Sequence, residues 1–211
     1  AIGQASVKMT GKGLYKGTKT VNFNIRPATV TKLKVSSTGE KSVKLSWKKV
    51  TGADSYAIYR YDSTSKKWQR IKTVKAVSFT DSGLARAKGY SYKVKAVKKS
   101  GGKEYISASY SKAIEAVTKP AKASCTAKSA GSGSIEVSWK AVGGASGYEI
   151  YSSSNGSDYV KSAKVGGSQK SAIVSGFEPY SLRMVKVRAY KTVNGKTSYG
   201  AFSQAAMVIV R

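Results

Sequence analysis

Apolar residues recur at every second position over short stretches of this chain. Val43, Leu45 and Trp47 alternate with Lys44 and Ser46. Tyr56 and Ile58 keep the same spacing, and Tyr90, Tyr92, Val94 and Ala96 extend it with Ser91, Lys93 and Lys95 between them. A period of two places one face of a strand on a core and the other toward water. Turn-forming clusters separate these runs: Ser36-Ser-Thr-Gly39, Thr51-Gly52, Ser100-Gly-Gly102, Gly143-Gly144 and Asn194-Gly195. No long stripe of helical period interrupts them. Short strands at regular spacing predict an all-β chain built as antiparallel sandwiches.

The pattern occurs twice. Residues 43–60 (VKLSWKKVTGADSYAIYR) and 135–152 (IEVSWKAVGGASGYEIYS) are identical at nine of eighteen positions at an offset of 92, which is far above chance. Downstream, Val94-Lys-Ala96 matches Val187-Arg-Ala189. Upstream, Pro27-Ala28 matches Pro120-Ala121. Two domains of about 90 residues follow, 27–119 and 120–211, a usual size for one compact unit. Their joints are short and carry proline, Arg26-Pro27 and Thr118-Lys-Pro120. The expected assembly is a semi-rigid spacer, not beads on a loose string.

Residues 1–26 differ. Ala5, Val7 and Met9 alternate, as do Val21, Phe23 and Ile25, around the glycine-rich Gly11-Lys-Gly-Leu-Tyr-Lys-Gly17. This predicts one β-hairpin. A lone hairpin is marginal in water. It needs either the first repeat or the body of a preceding domain to pack on, and the second is the expectation.

Composition narrows the chemistry. The 211 residues hold no His, one Cys, 38 Lys and Arg and 10 Asp and Glu, a net charge of +28. Lack of His removes imidazole shuttles and His-containing triads. One Cys removes internal disulfides and Cys-rich metal sites. The acids show neither an evident pair nor metal-loop spacing, so neither catalysis nor a cofactor is expected. The charge divides as +5 for 1–26, +15 for 27–119 and +8 for 120–211, and the cations are 31 Lys against 7 Arg. Lysine is a strongly hydrated point charge and not the fork that reads bases. No nucleic-acid-binding motif is visible, so no specific nucleic acid is expected as a partner. No apolar run is long enough to span a membrane.

Several spaced motifs resemble the fibronectin type III family, in the form common on exported proteins of Gram-positive bacteria. They are Val43-Lys-Leu45-Ser-Trp47, Gly52-Ala53, Tyr56-x-Ile58-Tyr59, Ser78-Phe-Thr-Asp81-x-Gly83-Leu84 and Tyr90-x-Tyr92-x-Val94-x-Ala96. In the second copy they are Trp139, Gly144-Ala145, Tyr148-x-Ile150-Tyr151, Gly176-Phe177 and Val185-x-Val187-x-Ala189. The resemblance implies two tandem immunoglobulin-like β-sandwiches and a non-catalytic spacer or adhesive role on the cell surface or outside the cell. Carbohydrate or anionic wall-polymer binding, or an accessory region of a secreted glycosidase or peptidase, are the alternatives. Through Gly11-x-Gly13-x-Tyr15-x-Gly17-Thr18 the hairpin resembles the last two strands of a bacterial immunoglobulin-like repeat. Where the family has a tyrosine six residues after the leucine closing its crossover, Tyr90 follows Leu84, but Arg183 follows Phe177.

The resemblance also implies which outward residues meet. Tyr59 should neighbour Lys93 and Lys95, and Tyr151 should neighbour Lys186 and Arg188. Each group reads either as lysine stems packed over a ring or as a contact for an acidic glycan or wall polymer. Trp68, in Lys66-Lys-Trp-Gln-Arg70, and its counterpart Tyr159 are edge-strand aromatics that either cover the sandwich rim or stack on a ligand. Trp47 and Trp139 read as core anchors. Cys125 aligns with Leu33 and reads as a small core residue.

Overall fold

The computed structural model describes residues 1–211 and contains strands but no helix. The hairpin comes first, β1 (Gly3–Thr10) and β2 (Thr18–Ile25). The first repeat holds β3 (Lys34–Thr38), β4 (Ser42–Ser46), β5 (Ser55–Asp62), β6 (Lys67–Val74), β7 (Ser78–Ser82), β8 (Gly89–Ser100), β9 (Lys103–Ile106) and β10 (Ile114–Val117). The second has one counterpart for each: β11 (Thr126–Gly131), β12 (Ser134–Ser138), β13 (Gly147–Ser153), β14 (Val160–Gly166), β15 (Ser171–Val174), β16 (Leu182–Val193), β17 (Lys196–Tyr199) and β18 (Ala206–Ile209). Each set makes two sheets. In the first repeat they are β3-β4-β7 and β10-β8-β5-β6, with β9 also on β8. In the second they are β11-β12-β15 and β14-β13-β16-β17, with β18 also on β16. By packing, the chain divides into two compact units, one of Ala1–Ser37, Lys44–Thr80 and Tyr90–Glu115, the other of Thr38–Val43, Asp81–Gly89 and Ala116–Arg211.

The alternation in the sequence becomes the two cores. Val43, Leu45, Tyr56, Ile58, Tyr92, Val94 and Ala96 are all buried, and Trp47 is 5% exposed. Ile135, Val137, Tyr148, Ile150, Val185, Val187 and Ala189 repeat the arrangement around Trp139. Each large side chain buried in this way stabilises by about 1.5–3 kcal/mol. The tryptophans meet Tyr56 and Tyr148 at ring-centroid distances of 5.3 and 5.1 Å. Those tyrosines also tie down a turn. The Val50 amide donates to the Tyr56 hydroxyl at 2.9 Å, and the Val142 amide to the Tyr148 hydroxyl at 2.7 Å. The turns so held use Gly52 and Gly144 at φ of 76° and 75°, a conformation that penalises a Cβ.

One strand of each larger sheet is broken, and a serine seals the break. Ser111, between β9 and β10, accepts from the Val94 amide at 3.0 Å, while its own amide donates to the Val94 carbonyl. Ser203 does the same for Val187. Both serines are buried, so the paired backbone of β8 and β16 continues across the interruption.

Arg183 takes the inward place of Tyr90 and lies over the Phe177 ring, 5.0 Å from guanidinium carbon to centroid, with its Nε buried and unpaired. Cys125 packs half-buried at the margin of the second core. Burial pushes its thiol above the ordinary value, which suits a packing residue. In the hairpin, Ala5 faces Phe23, Val7 faces Val21 and Gly3 faces Ile25 in register, so its apolar residues share one face. Val7, Val21, Phe23 and Ile25 remain 37–49% exposed. Arg26 Nη1 donates to the Ile106 carbonyl at 3.3 Å, a contact between the hairpin's end and the first repeat.

Candidate functional site

The outward face of the larger sheet carries the chemistry in both repeats. The register shifts beside Tyr59 and Tyr151 alike, with Ile71 of β6 and Ser162 of β14 as the extra residues. Tyr59 and Tyr151 directly follow the buried Ile58 and Ile150, so alternation along β5 and β13 places them on the outer face. Pairing sets their neighbours. Tyr59 lies opposite Lys93 and Arg70, Ala57 opposite Lys95, and Tyr61 opposite Trp68. In the second repeat Tyr151 lies opposite Lys186 and Lys161, and Glu149 opposite Arg188. The groupings expected from the resemblance are therefore spatial neighbours.

In the first repeat the rings are capped, not bare. Tyr59 is half-buried, with Tyr110 edge-on against it at 5.0 Å and 88°. Burial, followed by Tyr110, raises the Tyr59 hydroxyl above its ordinary pKa. The Lys93 ammonium sits 4.3 Å from the centroid of Trp68 and 5.3 Å from that of Tyr110. Lys95 Nζ lies 4.2 Å from the Tyr110 centroid and donates to the Ala108 carbonyl at 3.1 Å. Arg70 is committed to Glu104 at 3.1 Å and to the Thr73 hydroxyl. Its hydrogen bond holds the Glu104 carboxyl below the ordinary range.

The second repeat builds the same face around an internal acid. The Glu149 side chain is 1% exposed. Arg188 donates to its Oε2 through Nε and Nη2 at 3.0 and 2.7 Å, Lys161 to its Oε1 at 2.7 Å, and the Tyr151 hydroxyl to Oε2 at 3.2 Å. Burial pushes the Glu149 carboxyl up, but the bonds and charges of Lys161 and Arg188 outweigh it and leave it below its usual value. Arg188 also lies over the rings of Tyr199, Phe202 and Tyr151, at 4.2, 4.8 and 5.2 Å. Phe202 stands edge-on to Tyr151 at 5.0 Å, as Tyr110 does to Tyr59. Lys186 caps Tyr159 at 4.0 Å, as Lys93 caps Trp68.

Sequence reasoning placed Tyr59, Trp68, Lys93, Lys95, Tyr151, Tyr159, Lys186 and Arg188 on these faces but missed others, Tyr110, Phe202 and Glu149 among them. Tyr110 and Phe202 lie outside any strand, so periodicity gives no sign of them. Their offset of 92 is the available signal. Glu149 was one acid among ten, and only strand pairing brings its cations to it.

No protein-family model matches the chain. A stretch of 100 residues, 47% of the chain, is 40% identical to a poly(3-hydroxybutyrate) depolymerase of Ralstonia pickettii, and it spans 18% of that enzyme. Among solved structures, a two-domain fibronectin type III segment of chicken tenascin aligns with a TM-score of 0.50 over 86% of this chain and 97% of that one, at 19% identity. The fold is a tandem pair of fibronectin type III-like sandwiches. The FN1–FN3 domains of chicken CNTN1 align with a TM-score of 0.41 at 16% identity, over 87% of this chain and 66% of that one.

Proposed function

We propose that this chain is a non-catalytic spacer and adhesive module of a larger exported bacterial protein, working outside the cell or at its surface. The observation that carries the reading is the duplication itself. Two sandwiches repeat one core, one tyrosine-tied turn and one serine-sealed strand break. Short Pro27 and Pro120 joints restrict the backbone between modules. The hairpin, with its apolar face half-exposed, reads as strands contributed to an immunoglobulin-like domain ahead of the first repeat. The adhesive part rests on the cation-capped outer faces, to which acidic glycans or wall polymers are the complementary partners.

A second reading is favoured by the similarity to part of a depolymerase. In it the tandem sandwiches are an accessory region beside a polymer-cleaving domain and hold that domain near its substrate. The two readings share one physical job, which is to set distance. Fluorescence energy transfer between dyes on cysteines introduced at the exposed Ser63 and Ser154, in a Cys125→Ser background, tests it. A single narrow distance distribution supports a spacer; a broad distribution contradicts it.

A further inference from the structure

Ala57 and Glu149 stand at the same position of equivalent strands, and the difference between them divides the two outer faces. In the second repeat the carboxylate is supplied from within. It occupies Arg188, Lys161 and the Tyr151 hydroxyl together. In the first repeat the corresponding groups are Lys95, Arg70 and Tyr59, and no side chain at position 57 reaches them. Arg70 is taken by Glu104, which comes from β9 and also approaches Lys99 at 3.8 Å. Lys93 and Lys95 are left with ring faces and one backbone carbonyl as partners. Two ammonium groups two residues apart on one strand, partly stripped of water by Trp68 and Tyr110, thus have no carboxylate. The first repeat also carries the larger share of the charge, +15 against +8.

We propose that the outer face of the first repeat binds a carboxylated polysaccharide, with Lys93 and Lys95 receiving a uronate-type carboxylate where Glu149 serves the second repeat internally. Carboxylate is the indicated anion because Arg188, the equivalent of Lys95, holds one in the second repeat, and Lys93, the equivalent of the ring-capping Lys186, adds a second ammonium beside it. A sugar is the indicated carrier because Tyr61, 39% exposed and tilted against Trp68 at 5.4 Å, lines the same face and offers a ring to its C–H groups. This assignment rests on the adhesive reading and names its ligand class. The contact is shallow and Lys-based, so binding is weak and falls steeply with salt.

The test is binding of the whole chain to polygalacturonate at about 50 mM salt, with neutral dextran, polyglutamate and polyphosphate as comparison polymers. Polygalacturonate is expected to bind most strongly. The double variant Lys93→Gln, Lys95→Gln should lose at least tenfold in affinity, and Lys186→Gln, in the second repeat, less than twofold. Ala57→Glu, which installs the internal acid, should abolish the site, and Glu149→Ala should open a second one. Circular dichroism of each variant separates loss of binding from loss of fold, and the lysine variants carry the test if Ala57→Glu does not fold. Equal losses from Lys186→Gln and the Lys93, Lys95 pair would overturn the proposal while leaving an adhesive role intact. Equal binding of polyglutamate or polyphosphate would overturn the glycan assignment. No binding to any of the polyanions would overturn both this proposal and the adhesive reading.

Discussion

Arg188 donates two hydrogen bonds to one oxygen of Glu149, through Nε at 3.0 Å and Nη2 at 2.7 Å. The acid is buried, while Arg188 keeps 22% and Lys161 46% of its side-chain surface in water. The trio is asymmetric as a result. Losing the acid strands two cations that still reach solvent, whereas losing a cation strands a buried anion.

Glu149→Gln should therefore destabilise by roughly 2 kcal/mol, below the penalty for stranding a fully buried charge. Its pH dependence has a definite sign. The Glu149 carboxyl is held below its ordinary value in the folded chain, so the unfolded chain binds the proton more readily. The stabilisation is complete above the unfolded value of about 4.3 and is lost as pH falls through the lower folded one. Urea denaturation of wild type and variant across this range should show their stabilities converging on acidification. A difference independent of pH would contradict the charged role.

Tyr56 accepts the buried Val50 amide and Tyr148 the half-buried Val142 amide, each six residues earlier. Phenylalanine at either site keeps the ring and leaves that amide unpaired. Each substitution should cost about 1–3 kcal/mol, the penalty of a buried unsatisfied donor. Thermal denaturation measures it, and hydrogen exchange should show faster exchange at Val50 or Val142.

The two core tryptophans differ in one bond. Trp139 Nε1 donates to the Gln169 carbonyl at 3.1 Å, while Trp47 Nε1 is buried with no acceptor. Phenylalanine removes similar volume at both sites. At Trp139 it also breaks a hydrogen bond, and at Trp47 it removes an unsatisfied donor. Trp139→Phe should be the costlier change by about 1 kcal/mol, measured as a difference in urea midpoints. Equal costs would mean that the Gln169 bond contributes nothing.

The sequence made the cores legible because their logic is local. Val43, Leu45 and Trp47 alternate, and alternation is all that a half-buried strand requires. The repeat offset exposed the second core from the first. The outer faces were half legible. Register brings Tyr59 to Lys93 and Tyr151 to Lys186, and strand order supplied that much. The state of Glu149 was hidden, since its partners lie 12 and 39 residues away on two flanking strands. Tyr110 and Phe202 were hidden for another reason. They sit in irregular backbone, where no period constrains which way a side chain points. Arg183 was visible as a departure, but its resting place over Phe177 depends on a ring from a separate loop.

As a spacer, the chain is expected to unfold as two separate sandwiches. Single-molecule stretching of the whole chain reads this out. Two independent modules predict two unfolding events, each releasing roughly 30 nm of contour for about 90 residues. One event releasing both lengths together would mean that the two sandwiches are a single cooperative unit and not independent spacer modules.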